Sequence, residues 1–191
     1  MKKNISYLIL ASIVFLTALL FITNSRQPAG GSIKLDKERL YKFGKELNDS
    51  LFGTKIADIN CVNILGDSAK LSDLVTGESV LVLYYSELYC SACYQKQFDL
   101  LQRFFPDSTK LLVLGAHANY RNFKFYWIRS QYSLPAYCIN YGSLDWYANE
   151  YDYPYYFILN KDLTVSYFYL PDPMDIEKNR YYIEYVKKIL L

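Results

Sequence analysis

The stretch 79–105, SVLVLYYSELYCSACYQKQFDLLQRFF, narrows the possible folds more than any other part of the chain. Its first eight residues are an almost unbroken apolar run, the pattern of a strand buried on both faces. From Tyr94 the apolar residues change to helical spacing. Tyr94, Phe98, Leu101 and Phe105 share one face, Leu100 and Phe104 lie beside it, and Pro106-Asp107 stops the run. A central strand feeding directly into an amphipathic helix implies an α/β domain, and Cys90 and Cys93 stand at the junction.

The flanking sequence supplies matching layers. Residues 57–74 alternate around a short turn at Gly66-Asp67, which predicts a pair of antiparallel strands. KLLVLGAH (110–117) reads as a second buried strand, and 119–132 as a helix with Phe123, Trp127 and Ile128 inward. PAYCINY (135–141) is a short strand and 143–151 a short helix. YYFILN and TVSYFYL pair across Lys161-Asp162 as a hairpin. A last helix is expected to start after Asp172-Pro173, with Asp172 as its cap, and to run to Leu191. The order predicts a mixed central sheet sandwiched by helices, with an N-terminal strand pair in front.

At the strand-to-helix junction, Cys90 meets the free backbone N–H groups and the positive end of the helix dipole. Both favour thiolate over thiol, the form that is nucleophilic near neutral pH. Cys93 follows one turn later on the same side, within disulfide reach but deeper in the helix. A nucleophile with a resolving partner follows from that spacing. A zinc site would need Cys61 and Cys138 to converge on the pair, and their separations of 29 and 45 positions fit no ribbon pattern. No metal is therefore expected. Cys61 and Cys138 read as buried free thiols in strands, and the one histidine, His117, as structural. Glu87, three residues before Cys90, is a possible proton acceptor for Cys93, with a solvated loop carboxylate as its plainer alternative.

Composition excludes other classes. The 191 residues carry a formal charge of +2 and no basic run, so no nucleic acid is expected as a partner. A single histidine excludes most Ser-His-Asp chemistry. The 21 tyrosines read first as strand and helix packing with wet hydroxyls. At the N-terminus, Lys2 and Lys3 precede an uncharged stretch at 5–22, about 27 Å long as a helix and enough to span a bilayer. An uncleaved signal anchor over 1–25 is the expectation, with the domain on the periplasmic or extracellular side of the cytoplasmic membrane. A flexible spacer and a juxtamembrane helix follow over 26–52. The helix has Leu40, Phe43, Leu47 and Leu51 on one face, spaced to dock on the domain at 53–191.

The segments GTKIADINCVNILGDSAKLSDL, the strand into YCSAC, and YDYPYYFILNKDLTVSYFYL together make residues 53–170 resemble the thioredoxin-like superfamily, in particular its membrane-anchored TlpA/ResA-type branch. The resemblance implies a thioredoxin-like three-layer sandwich and a thiol-disulfide oxidoreductase with Cys90 and Cys93 as the redox pair and no cofactor. Its partners would be client protein thiols or disulfides and a membrane redox donor or acceptor. It further implies that Pro154 is the cis-proline facing the pair, with the Tyr153 carbonyl holding an extended substrate segment. The chain departs from the branch in several places. Tyr89 replaces the usual Trp, Ser91-Ala92 lacks the common Pro or His, and Lys96 and Phe98 stand where Glu and Pro are usual. The direction of electron flow is therefore not carried over. Two rivals remain: a peroxiredoxin-like peroxidase, weakened by Glu87 where a Thr or Ser is needed, and a non-enzymatic partner-binding module.

Overall fold

A computed structural model describes residues 37–105, 109–144, 146, 149 and 152–190. The expected anchor and spacer, the Pro106-Asp107 stop, and most of the expected helix at 143–151 lie outside the described residues. Among the described residues no helix is long and apolar enough to cross a membrane.

The elements run α1 (Lys37–Leu51), β1 (Asn60–Asn63), β2 (Ser68–Lys70), α2 (Leu71–Leu74), β3 (Ser79–Ser86), α3 (Ser91–Phe104) and β4 (Leu111–Ala116). Then come α4 (Tyr120–Ser130), β5 (Ala136–Ile139), β6 (Tyr155–Asn160), β7 (Val165–Tyr169) and α5 (Ile176–Leu190). The described strands form one mixed sheet in the order β2-β1-β5-β4-β3-β6-β7. β3 lies parallel to β4 and antiparallel to β6, and β4 lies parallel to β5. β3 is buried along all but its first residue, as its apolar run requires.

The β1–β2 turn matches its expectation. The Asn63 side-chain oxygen accepts the N–H groups of Leu65, Gly66 and Asp67, each at 2.9 Å.

Each sheet face carries its own layer. Tyr85 of β3 meets Tyr94 and Phe98 of α3 and Tyr126 of α4, while Tyr156 of β6 meets Tyr182 of α5. On the opposite face Tyr155 stacks on Tyr84 and packs against Trp146 and Phe168. α1 docks along β7, and the described residues form one compact unit. These features are the mixed sheet and helical layers expected from the sequence.

Two local expectations are corrected. Phe123 and Trp127 are buried in α4, but Ile128 is 62% exposed. The buried stripe is Phe123–Trp127, an i, i+4 pair, and Ile128 lies a further 100° around the helix, beyond its edge. The last helix begins at Ile176, not just after Pro173. Asp175 caps it by accepting the Lys178 N–H at 3.1 Å. Asp172 is buried and instead accepts the Met174 N–H at 2.9 Å, closing the turn before the helix.

Candidate active site

β3 ends at Ser86, and the chain turns at once. The Tyr89 N–H donates to the Ser86 carbonyl at 3.0 Å and the Leu88 N–H to Ser86 Oγ at 3.2 Å. Cys90 comes next as the N-cap of α3, its carbonyl accepting the N–H groups of Cys93 at 2.9 Å and Tyr94 at 3.3 Å. Its side chain makes no capping bond, so the sulfur is left at the mouth of the helix. Cys90 is exposed and Cys93 half-buried. Their Cα atoms are 5.2 Å apart and their sulfurs are joined as a disulfide. In the reduced pair, first-turn N–H groups and the helix dipole would stabilise negative charge at Cys90.

Tyr89 links this loop to β6. Its ring is buried and packs edge-on to Tyr84, which stacks on Tyr155 with centroids 4.7 Å apart. The hydroxyls of Tyr89 and Tyr155 both donate to the Asn149 side-chain oxygen, at 3.2 and 3.0 Å. Burial raises the Tyr84 phenol to about 12 and pushes Tyr89 up as well, so both stay neutral near pH 7.

Tyr155 is opposite Tyr84 in the β3–β6 register, which sets Tyr153 and Pro154 at the sheet end from which the Cys90 loop departs. Pro154 is buried and Tyr153 half-buried. The Tyr153–Pro154 bond is trans, not the cis form that the resemblance implies. Trans is the lower-energy state of an X–Pro bond by about 0.5–1 kcal/mol.

Glu87 is neither free nor simply solvated. Oε1 accepts the Ala118 N–H and the Tyr141 hydroxyl, both at 2.6 Å, and Oε2 lies 3.1 Å from His117 Nδ1. A carboxylate only accepts, so Nδ1 carries the histidine proton and Nε2 accepts the Tyr85 hydroxyl at 3.0 Å. The Tyr85 oxygen in turn accepts the Trp127 indole N–H at 2.9 Å.

Burial raises the Glu87 carboxyl, but Tyr141, Ala118 and His117 outweigh it and hold it below its usual value. Burial lowers His117 more than Glu87 raises it, so the imidazole stays neutral. A carboxylate held this way by Tyr141, Ala118 and His117 is a poor proton acceptor. Sequence reasoning singled out Glu87 and placed His117 at a strand end, but missed Tyr141 and Asn149. Glu87 lies 54 residues from Tyr141, and Tyr89 lies 60 from Asn149, beyond any periodicity.

Cys61 and Cys138 are free and buried, as read from the sequence. Val62, not Cys61, is opposite Cys138 in the β1–β5 register, so the two thiols point to opposite faces. Burial pushes them up to about 12 and about 11, leaving them unreactive. Among the described residues no group of three or more His, Cys, Asp or Glu side chains is placed to hold a metal.

Sheet order and helical layers, with a Cys-x-x-Cys pair at the helix mouth, are those of a thioredoxin-like fold, and solved structures share it. No protein-family model and no curated relative matches the sequence. A thiol:disulfide interchange protein from Bacteroides sp. superposes with a TM-score of 0.54 at 14% identity, over 73% of this chain and 90% of that one. The thioredoxin domain of a thiol-disulfide oxidoreductase from Bacteroides vulgatus gives 0.52 at 16% identity, over 73% and 98%. A candidate thiol:disulfide interchange protein DsbE from Chlorobium tepidum gives 0.53 at 18% identity, over 70% and 96%.

Proposed function

We propose that the protein is a thiol-disulfide oxidoreductase working through Cys90 and Cys93. The observation that carries this is an exposed cysteine at the mouth of α3 with its partner 5.2 Å away by Cα and less exposed. Proteins that share its fold include a thiol:disulfide interchange protein and a thiol-disulfide oxidoreductase, which supports the same reading.

In the reducing direction the Cys90 thiolate attacks one sulfur of a client disulfide. A mixed disulfide forms, and the other client sulfur leaves as a thiolate and takes a proton. Cys93 then gives up its proton and attacks Cys90 Sγ. The intramolecular disulfide closes and the second client thiolate leaves, so two electrons and two protons have passed to the client. The oxidising direction is the reverse, and a dithiol donor or disulfide acceptor restores the pair.

The finer reading is a domain held by the 1–25 segment on the extracytoplasmic side, exchanging with client proteins there and with a redox partner in the membrane. Lys2, Lys3 and the uncharged stretch at 5–22 support it. An impermeant amine label applied to intact spheroplasts should reach the domain. Protection until permeabilisation would reverse the placement.

The chemistry is tested with Cys93→Ser, which leaves the nucleophile and removes the resolving thiol. Clients should accumulate as covalent adducts that dissolve on adding reductant. A variant lacking both cysteines should form none. If that double variant recovers the same partners and no disulfide-linked species appears with Cys93→Ser, the domain is a binding module and the oxidoreductase reading fails.

A further inference from the structure

The turn that presents Cys90 is tied into the sheet at three points. The Glu87 backbone N–H donates to the Ala116 carbonyl at 3.0 Å, extending the β3–β4 ladder by one bond past Ser86. The Glu87 side chain takes the Ala118 N–H and the His117 ring beyond the end of β4. It also takes the Tyr141 hydroxyl from beyond the end of β5. Behind it the chain continues inward through His117, Tyr85 and Trp127, all buried. One carboxylate thus joins three strand ends, three residues before the nucleophile.

We propose that Glu87 is a positioning residue for Cys90: it pins the Ser86–Tyr89 turn to the ends of β4 and β5 and so holds Cys90 where Cys93 can close on it. This rests on the oxidoreductase reading and adds to it a residue that acts through another. Both carboxylate oxygens are already occupied by donors that keep it ionised, so its contribution lies in geometry and fixed charge. Tyr141 from the loop after β5, Cys138 from β5, His117 from the end of β4 and Tyr94 from α3 are titratable groups that feel its charge. The charge reaches the first turn of α3, where, added to burial, it helps raise the Tyr94 phenol and offsets the dipole's stabilisation of a thiolate.

Geometry and charge are separated by two substitutions. Glu87→Gln removes the charge but keeps an oxygen for the Ala118 N–H and the Tyr141 hydroxyl. Glu87→Ala removes both. In the full chain, the Cys90 thiol pKa is read from the pH dependence of iodoacetamide alkylation in the reduced protein. The stability of the Cys90–Cys93 disulfide is read by equilibration with glutathione.

Both variants should lower the thiol pKa by the same amount, since both lose the charge. Glu87→Ala should in addition weaken the disulfide about tenfold relative to Glu87→Gln, a shift of about 30 mV toward oxidising potential. Equal potentials for the two variants would overturn the proposal, as would a wild-type potential in Glu87→Ala.

If Glu87→Ala does not fold, Tyr141→Phe carries the test, because Tyr141 is 40% exposed and its loss opens no core. It should weaken the disulfide about threefold with the thiol pKa unchanged, and a wild-type potential would overturn the proposal. Failure of the underlying reading looks different: the wild-type pair itself would not exchange with glutathione.

Discussion

Replacing Gly115 with alanine tests how tightly the layer behind the cysteine loop is packed. Gly115 sits in β4 opposite Tyr85 of β3, and the Tyr85 ring lies across it. A Cβ built at Gly115 would meet Tyr85 Oη at 2.6 Å, Cζ at 2.7 Å and Cε1 at 2.8 Å, closer than side chains tolerate. The ring cannot move away without cost, since it is fully buried among Tyr94, Phe98 and His117. Its hydroxyl also joins Trp127 Nε1 to His117 Nε2.

Overpacking costs about 1–3 kcal/mol, and a buried hydrogen-bond group left without its partner about 1–3 kcal/mol more. A total near 3 kcal/mol corresponds to a fall in Tm of roughly 6–12 °C for a domain of this size. Thermal unfolding followed by circular dichroism measures it. Removing the hydroxyl with Tyr85→Phe in the same chain should make the pair of losses less than additive, because the nearest clashing atom is gone. A Gly115→Ala protein melting within about 1 °C of wild type would refute the packing account.

Acid should act first through His117, the one histidine in the sequence. Its folded value lies below 6.5 because of burial, so stability is full above about 6.5 and falls as the unfolded chain alone takes the proton. Urea unfolding should show this decline as pH falls below about 6.5, and His117→Asn should abolish it; an unchanged decline would refute the assignment. Glu87 adds a second loss as pH drops below 4.5 through its lowered value. In the folded, reduced protein at pH 8, iodoacetamide should modify Cys90 and spare Cys61 and Cys138, which become reactive only in denaturant. Similar rates for Cys61 and Cys90 would contradict the burial described. Ile128→Lys should change stability by no more than about 0.5 kcal/mol, while Trp127→Ala should cost about 3–5 kcal/mol, and chemical denaturation separates the two.

Much of the molecule was legible in the chain because it depends on neighbours in sequence. An apolar run long enough for a strand, a helical stripe after it and two cysteines at the junction are local patterns, and β3, α3 and the Cys90–Cys93 pair follow from them. Hairpin turns at Gly66 and Lys161-Asp162 were equally local. What the fold alone decided involves partners far apart in sequence.

Glu87 reads as a loop carboxylate until parallel pairing brings the ends of β3, β4 and β5 together and sets His117 and Tyr141 against it. Gly115 looks like any small residue in a strand until the Tyr85 ring crosses it. Ile128 lost its expected place inside because the neighbouring helix, not hydrophobicity, sets which part of α4 is covered. The cap of α5 moved from Asp172 to Asp175 for a related reason. The Asn179 side chain, seven residues on, holds Asp172 in a buried turn, accepting its N–H and donating to its carbonyl. Periodicity reports which residues seek burial. Which buried and polar groups meet is set by strand order and register, and these exist only once the sheet has formed.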